Sequence, residues 1–514
     1  MLSRVNCAGL AGIKAYKVEL EVDLARHGMP TFTMVGLAEG AVKESKERVF
    51  DALRNSGFQI PVSRITVNLA PADTRKAGSS YDLPLALGIL ASANVIDPDA
   101  LQGWFLTGEL SLGGQIKPVP GVLPLALLAR SSGAKGLIVP PGNALEAAVV
   151  KETPVYAPKC LSDCVALIKG QTQFTPVKAG LEQVWDKRMD LSIDFNEVRG
   201  QEFAKRAIEI AAAGGHNLLF IGPPGSGKTM LSKRIPTVLP PLGFEESLEV
   251  TAIYSVAGQL SPDQPLVVNR PFRHPHHTIS DAGLIGGGPY PRPGEVSMAH
   301  HGVLFLDELP EFKKSVLEVL RQPLEDGQVT IARAAASLCY PAEFMLVAAM
   351  NPCPCGYLSD ERHACRCNPA QIQRYLSRIS GPLLDRIDLH VEVPAVPYKD
   401  LRSPEPALGS EFMRERIAAA RARQTERYIG QGISCNRGLS GNLLRKYCRP
   451  SERVHDFMAR AVDSLGLSAR AFTRVLRLAR TIADLEGQEE IRVEDVAEAI
   501  NYRVLDRRSL DQGS

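Results

Sequence analysis

The stretch LLFIGPPGSGKTM, residues 218–230, constrains this chain more than any other. It matches the pattern G-x-x-x-x-G-K-[ST] from Gly222 to Thr229, with an apolar run before it and a helix-forming run, TMLSKRI, behind it. A glycine-rich turn between a strand and a helix aims several backbone N–H groups at a phosphate, and the helix N-terminus adds a favourable field for the anion. Gly222, Pro223, Pro224, Gly225, Ser226 and Gly227 would form the cradle for ATP. Lys228 would neutralise the β/γ-phosphates, and Thr229 would bind Mg²⁺. The bland alternative is an ordinary glycine-rich turn, but every motif position is filled and both flanks fit.

The same region repeats short apolar runs between helical ones: HNLLFIG, GVLFLDE, EFMLVAAMN and RIDLHVEV. That alternation is the pattern of a parallel sheet covered on both faces, so the fold class is α/β. One of the runs ends in Asp307-Glu308, where a strand-tip carboxylate suits Mg²⁺ through oxygen and its neighbour can polarise a water. Before about residue 175 the mix changes. KVELEVDL and SRITVNLAP alternate like strands, AVKESKERVFDALRNSGF reads as an amphipathic helix stopped by Gly57, and DLPLALGILASANVI reads as a buried helix. Beyond about 396 the chain is arginine-rich and helical by period, as in SARAFTRVLRLARTIADLEG. The expected division is 1–175, a weakly patterned linker at 176–194, a core at 195–395 and a helical region at 396–514. Net charge is only +2, so a nucleic-acid surface would have to be local. No run approaches the ~18 apolar residues of a membrane span, and the N-terminus shows no signal core, so a cytoplasmic protein without a membrane partner is expected.

The order phosphate loop, Asp-Glu strand, strand ending in Asn351, then LLDRID and a helical region with SAR resembles the AAA+ ATPases. The resemblance implies that Glu308 activates water and that Asn351 is the polar sensor orienting it. It implies that Arg386 is an arginine finger serving a neighbouring subunit and that Arg470 is the second sensor on the lid. Guanidinium groups stabilise charge on a transferring phosphoryl, which agrees. Read from the residues alone, Asn351 could cap its strand and Arg386 could pair with Asp385 or Asp388. Arg474, Arg477 and Arg480 compete with Arg470 for the sensor role.

The long insert RPFRHPHHTIS…GLIGGGPYPRPGE and the run GQVTIARAAASLCYPAEF closely resemble the magnesium-chelatase-like ATPases of the YifB/ComM type. There the insert interrupts the second helix and a hairpin precedes the sensor strand, both facing a ring's pore. Arg273, His276, His277 and Arg333 are therefore candidates for DNA phosphate contact, with a subunit-interface or metal role as alternatives. Residues 1–170 are similar to that family's amino-terminal domain and to the Lon-protease-like (S5-like) α+β domain. Ser80 falls where a Lon-type nucleophile would, but Leu123 stands where its lysine is expected, and neither Lys76 nor Lys117 matches that position. The resemblance implies a homo-hexameric ATPase, with a helical sensor-2 lid, that acts as a helicase and branch-migration motor on single-stranded or branched DNA during natural transformation. A magnesium chelatase ATPase subunit and an ATP-dependent Lon-like protease are the rivals.

Four of the ten cysteines crowd into NPCPCGYLSDERHACRC as two C-x-C pairs, Cys353/Cys355 and Cys365/Cys367. Four thiolates suit a tetrahedral Zn²⁺, with His363 a possible substitute ligand, although the spacing is tighter than usual. A disulfide or unrelated thiols are the alternatives; reducing compartments favour metal.

Overall fold

The structure is a computed structural model that describes residues 1–25, 29–60, 62–186, 192–288, 291–333, 336–358, 360, 362–397, 408–466 and 468–503. Val18, Leu20, Val22 and Leu24 alternate with charged and polar residues along β2 (Lys14–Ala25), so one face of that strand is buried and the other wet. β2 pairs antiparallel with β1 (Leu2–Ala11) and with β4 (Arg64–Ala70). β3 (Phe32–Val35), β5 (Trp104–Leu106), β8 (Gly136–Ile138) and β9 (Val155–Tyr156) join in parallel, giving the order β3-β4-β2-β1-β5-β8-β9. A short antiparallel pair, β6 (Glu109–Leu110) and β7 (Ile116–Lys117), lies outside this sheet. The helix Asp82–Ser92 is buried along its whole length, as its apolar run requires. Its Asp82 carboxylate accepts from the Arg48 guanidinium at 2.8 and 3.1 Å, so the one buried acid in that helix is paired.

The second sheet runs β11 (Phe272–Arg273), β14 (Val303–Leu306), β17 (Met345–Met350), β10 (Leu218–Ile221), β18 (Leu389–Glu392), all parallel. Every residue of β10, β14 and β17 is buried, which explains their unbroken apolar composition. β12 (Gly286–Gly287) and β13 (Arg292–Pro293) form a small ribbon in the insert, and β15 (Gln328–Arg333) pairs with β16 (Ala336–Pro341) as the hairpin before β17.

The helices Ser410–Arg427, Glu452–Leu465, Ala469–Leu485 and Val493–Asn501 share one apolar core with the sheet and with the helix Glu202–Gly214. At its heart the buried Asp484 accepts from Arg427 at 2.6 and 2.9 Å, from Arg480 Nε at 3.2 Å and from Asn436 Nδ2 at 2.8 Å.

The N-terminal region is not an appended bead. Leu123, Phe105 and Val139 lie in one buried cluster with Ala252, Leu266 and Val268 of the insert region. Gly121 N donates to Ser255 O at 3.0 Å, and the Ser255 hydroxyl donates to the buried Glu146 carboxylate. The segment expected to be a weakly patterned linker carries a helical stretch, Leu181–Asp186. Leu181, Val184 and Trp185 recur at helical spacing and pack on the same cluster, which is why it is ordered there. The expected lid boundary at 396 falls close to residues outside the described set, and the described lid helices begin at Ser410.

Candidate active site

β10 lies between β17 and β18, and the loop from Gly222 leaves its C-terminal end, the crevice where open α/β sheets bind ligands. Gly225 and Gly227 sit at φ +75° and +91°, a left-handed backbone that a side chain would strain. That curl starts the helix Lys228–Val238 with its N-terminus at the loop. Lys228 is buried, and its Nζ donates to the carbonyls of Gly222 and Pro223, each at 2.8 Å. It also reaches Asn351 Oδ1 at 3.3 Å, at the C-terminal end of the neighbouring β17. Burial lowers the Lys228 pKa, and Asp307 opposes that shift. Thr229 Oγ1 donates to Asp307 Oδ2 at 2.7 Å, so the hydroxyl and carboxylate expected to hold Mg²⁺ are already side by side. Ser226 Oγ is buried in the loop with no protein partner. An orphaned hydroxyl, adjacent oxygen donors and a buried ammonium are a donor set that fits a magnesium–triphosphate.

Glu308 is exposed and takes a left-handed backbone at φ +53°. Its Oε2 is 3.3 Å from His277 Nδ1. His277 packs against His276 with the rings tilted and their centroids 4.1 Å apart. The structure therefore brings Lys228, Thr229, Asp307, Glu308 and Asn351 together, and adds His277.

The two arginines named for catalysis lie elsewhere. β10 and β18 are parallel, with Leu218 opposite Leu389. Arg386 precedes β18 while the phosphate loop follows β10, so they sit at opposite ends of the sheet, about 13 Å of strand apart. Arg386 donates to Glu325 of the helix Arg321–Asp326, not to Asp385 or Asp388. Arg470 Nη1 is 3.5 Å from Asp385, with both side chains largely exposed. Arg474 is turned inward, 3.6 Å from the buried Asp388, and burial lowers the pKa of both Arg474 and Arg477. Of these three, Arg470 alone presents its side chain at the surface.

Among the residues named for DNA contact, Arg273 forks onto Glu295 at 2.6 and 2.7 Å, and His277 faces Glu308. His276 is exposed, with Nδ1 2.9 Å from the Thr278 hydroxyl. Arg333 ends β15 opposite Ala336, at the tip end of its hairpin. The hairpin and the insert lie together: Tyr340 Oη donates to Pro291 O at 2.8 Å. In the cysteine loop, Cys353, Cys355, Cys365 and Cys367 converge, whereas His363 Nδ1 faces Asp360 Oδ1 at 3.3 Å and its ring packs tilted against Tyr357.

Comparison with known proteins adds the family. Residues 194–401 match the model for magnesium chelatase, subunit ChlI; residues 20–143 match that for subunit ChlI of Mg-chelatase; residues 407–503 match that for the ChlI C-terminal part. Competence protein ComM of Haemophilus influenzae is 43% identical over 501 residues, 96% of each chain. The chain belongs to the YifB/ComM family of magnesium-chelatase-like AAA+ ATPases. The YifB protein of Escherichia coli is 42% identical over 512 residues, 98% of each chain. The magnesium-chelatase 38 kDa subunit of Rhodobacter capsulatus is 23% identical over 312 residues, 57% of this chain and 81% of that one.

Several supports of this YifB/ComM site escape the sequence reading. Gln201, at φ +60°, donates from Nε2 to Pro394 O at 2.7 Å and to Ser226 O at 3.4 Å, tying the phosphate loop to β18's exit. Arg437 of the lid donates to Phe344 O at 2.7 Å and Leu324 O at 3.3 Å. Asp388 is buried, which works against its charge. His216 and Arg474 outweigh that and hold its pKa well below the carboxylate range. The HH of AHHGVLF, His300 and His301, place both Nε2 atoms on Glu249 Oε2, at 3.2 and 2.9 Å. In the N-terminal region, Leu123 is wholly buried and the Lys76 ammonium donates to the carbonyls of Pro71 and Thr74. No described lysine ammonium bonds to Ser80, so a serine–lysine pair is not assembled among the described residues.

Proposed function

We propose that this AAA+ ATPase works as a homo-hexameric ring in which ATP hydrolysis moves DNA. Its role would be helicase and branch-migration work on single-stranded or branched DNA in recombination during natural transformation. The observation carrying the reading is the near full-length 43% identity to a protein named for competence, supported by the contacts of Lys228 with Asn351 and of Thr229 with Asp307 at the loop.

Lys228 would exchange the carbonyls of Gly222 and Pro223 for the β/γ-phosphates, and the loop N–H groups and the helix N-terminus would take the remaining charge. Mg²⁺, when held by Thr229 and Asp307, supplies charge neutralisation at the phosphates. Glu308 would leave His277, accept the proton of the attacking water and be aided by Asn351, which orients that water. Arg386 precedes β18 and is held by Glu325, and Arg470 faces Asp385, so both are proposed to reach a neighbouring subunit's nucleotide, Arg386 as the finger and Arg470 as the second sensor. The insert with Arg273, His276 and His277, and the hairpin with Arg333, are proposed to meet DNA phosphates in the pore; Arg273 and His277 would first have to open their pairs with Glu295 and Glu308.

The test is unwinding of a three- or four-stranded DNA junction with ATP, beside Lys228→Ala. Junction resolution and DNA-stimulated ATPase, both absent in the variant and both falling steeply with added salt, are expected. The family models named for magnesium chelatase favour one second reading, an ATPase subunit for metal insertion into a porphyrin. ATPase stimulation by a porphyrin-binding partner and not by DNA would replace the motor with that reading.

A further inference from the structure

We propose that Cys353, Cys355, Cys365 and Cys367 hold one Zn²⁺, and that this metal knuckle forms a wall of the nucleotide site. Their sulfurs lie within 4.8 Å of one another. Cys353 and Cys355 Sγ are 3.3 Å apart, Cys353 and Cys365 3.7 Å, and Cys355 and Cys365 3.6 Å. A tetrahedron with Zn–S bonds of about 2.3 Å has edges of about 3.8 Å, close to these separations. A disulfide would bring two of them to about 2.05 Å, and no described pair is that close.

The backbone also supplies a donor to the cluster: Cys367 N donates to Cys365 Sγ at 3.4 Å. Such a donor offsets part of the charge that four thiolates and one divalent cation leave on the sulfurs, and it orients the ligand. An all-sulfur tetrahedral set selects zinc or iron among the common metals. The intervening chain supplies no helix or strand of its own among the described residues, so the loop has little else to hold its shape.

The knuckle's position gives it a second role. Gly356 is buried at φ +87°, and a Cβ there would collide with the ring of Pro224 in the phosphate loop. Two residues before Cys353, Asn351 accepts from Lys228. The knuckle thus touches the phosphate loop on one side and carries the sensor asparagine on the other. This second half of the proposal rests on the nucleotide reading above; the metal half does not.

The experiment uses the full chain purified in reductant without chelator. Elemental analysis should find about one zinc per chain, released in step with thiol titration by an organomercurial. Cys353→Ser with Cys365→Ser should lose the zinc, whereas Lys228→Ala should keep it. Stripping zinc from the wild-type chain should weaken binding of a fluorescent ATP analogue about tenfold, restored by adding zinc back. Iron in place of zinc, no metal, or a disulfide found by intact mass under native conditions would overturn the metal site. Zinc loss with unchanged nucleotide affinity would overturn the wall. Zinc present in a chain that binds no ATP at all would instead sink the nucleotide reading and leave the metal site standing. Because the double variant could misfold, the titration on wild-type protein decides the metal question by itself.

Discussion

At the scale of single residues, the phosphate loop divides binding from chemistry. Lys228 is the buried charge of the loop, while Glu308 stands exposed at the strand tip. Lys228→Ala is expected to abolish binding of a fluorescent ATP analogue. Glu308→Gln should keep that binding and lower turnover by about 10²–10⁴, the usual worth of a positioned general base. Normal steady-state ATPase in Glu308→Gln would remove it from that role. Glu249 supplies a pH-dependent term. Hydrogen bonds from His300 and then His301 outweigh its partial burial and lower its pKa to about 2. A depressed carboxylate stabilises the fold above its unfolded pKa, about 4.3, and that contribution is lost as pH falls towards 2. Glu249→Gln should therefore flatten the fall in urea-measured stability below pH 4.5; an unchanged slope would contradict the pairing. At this scale the sequence was most informative. Gly222 to Thr229, Asp307, Glu308 and Asn351 are local in motif and are found together. His277 beside Glu308 and Gln201 beside Ser226 were not legible, because each contact joins segments whose approach depends on the folded sheet.

Among elements, period alone places β2, β4, β10, β14, β17, β18 and the helix Asp82–Ser92. β10, β14 and β17 are unbroken apolar runs because both faces are covered, and the helix Asp82–Ser92 is apolar all round for the same reason. The helical stretch Leu181–Asp186 was missed, since six residues show less than two turns of pattern and their order comes from the cluster beneath. The lid's internal order rests on charge rather than on apolar contact alone. Asp484 takes four donors from three residues, all inside the bundle. Asp484→Ala would leave Arg427 and Arg480 without their anion. A loss of about 3–5 kcal/mol in chemical denaturation is expected, as when one partner of a buried ion pair is removed. A loss below about 1 kcal/mol would mean that the arginines find other partners or water.

For the whole molecule, the arginines matter most. Arg386 and Arg470 lie across the sheet from the loop that they are proposed to serve, which makes a lone chain catalytically incomplete on this reading. Arg386→Ala should bind ATP with near wild-type affinity and lose about 10³-fold or more in turnover. Mixed with wild-type chain, it should depress the total rate by more than its share, read by ATPase against mixing ratio. A strictly proportional rate would show that each chain acts alone. The sequence could name Arg386 but not its in-chain partner Glu325, which comes from a helix sixty-one residues earlier.

The shared cluster of Leu123, Phe105, Ala252, Leu266 and Val268 sets a practical boundary on this chain. Cutting it at the edge of the ATPase core would not free an independent ATPase. It would expose the cut face of a hydrophobic interior and strand the Ser255 hydroxyl without Glu146. The amino-terminal region thus acts as a structural seal: deleting it would leave the ATPase an aggregation-prone remnant.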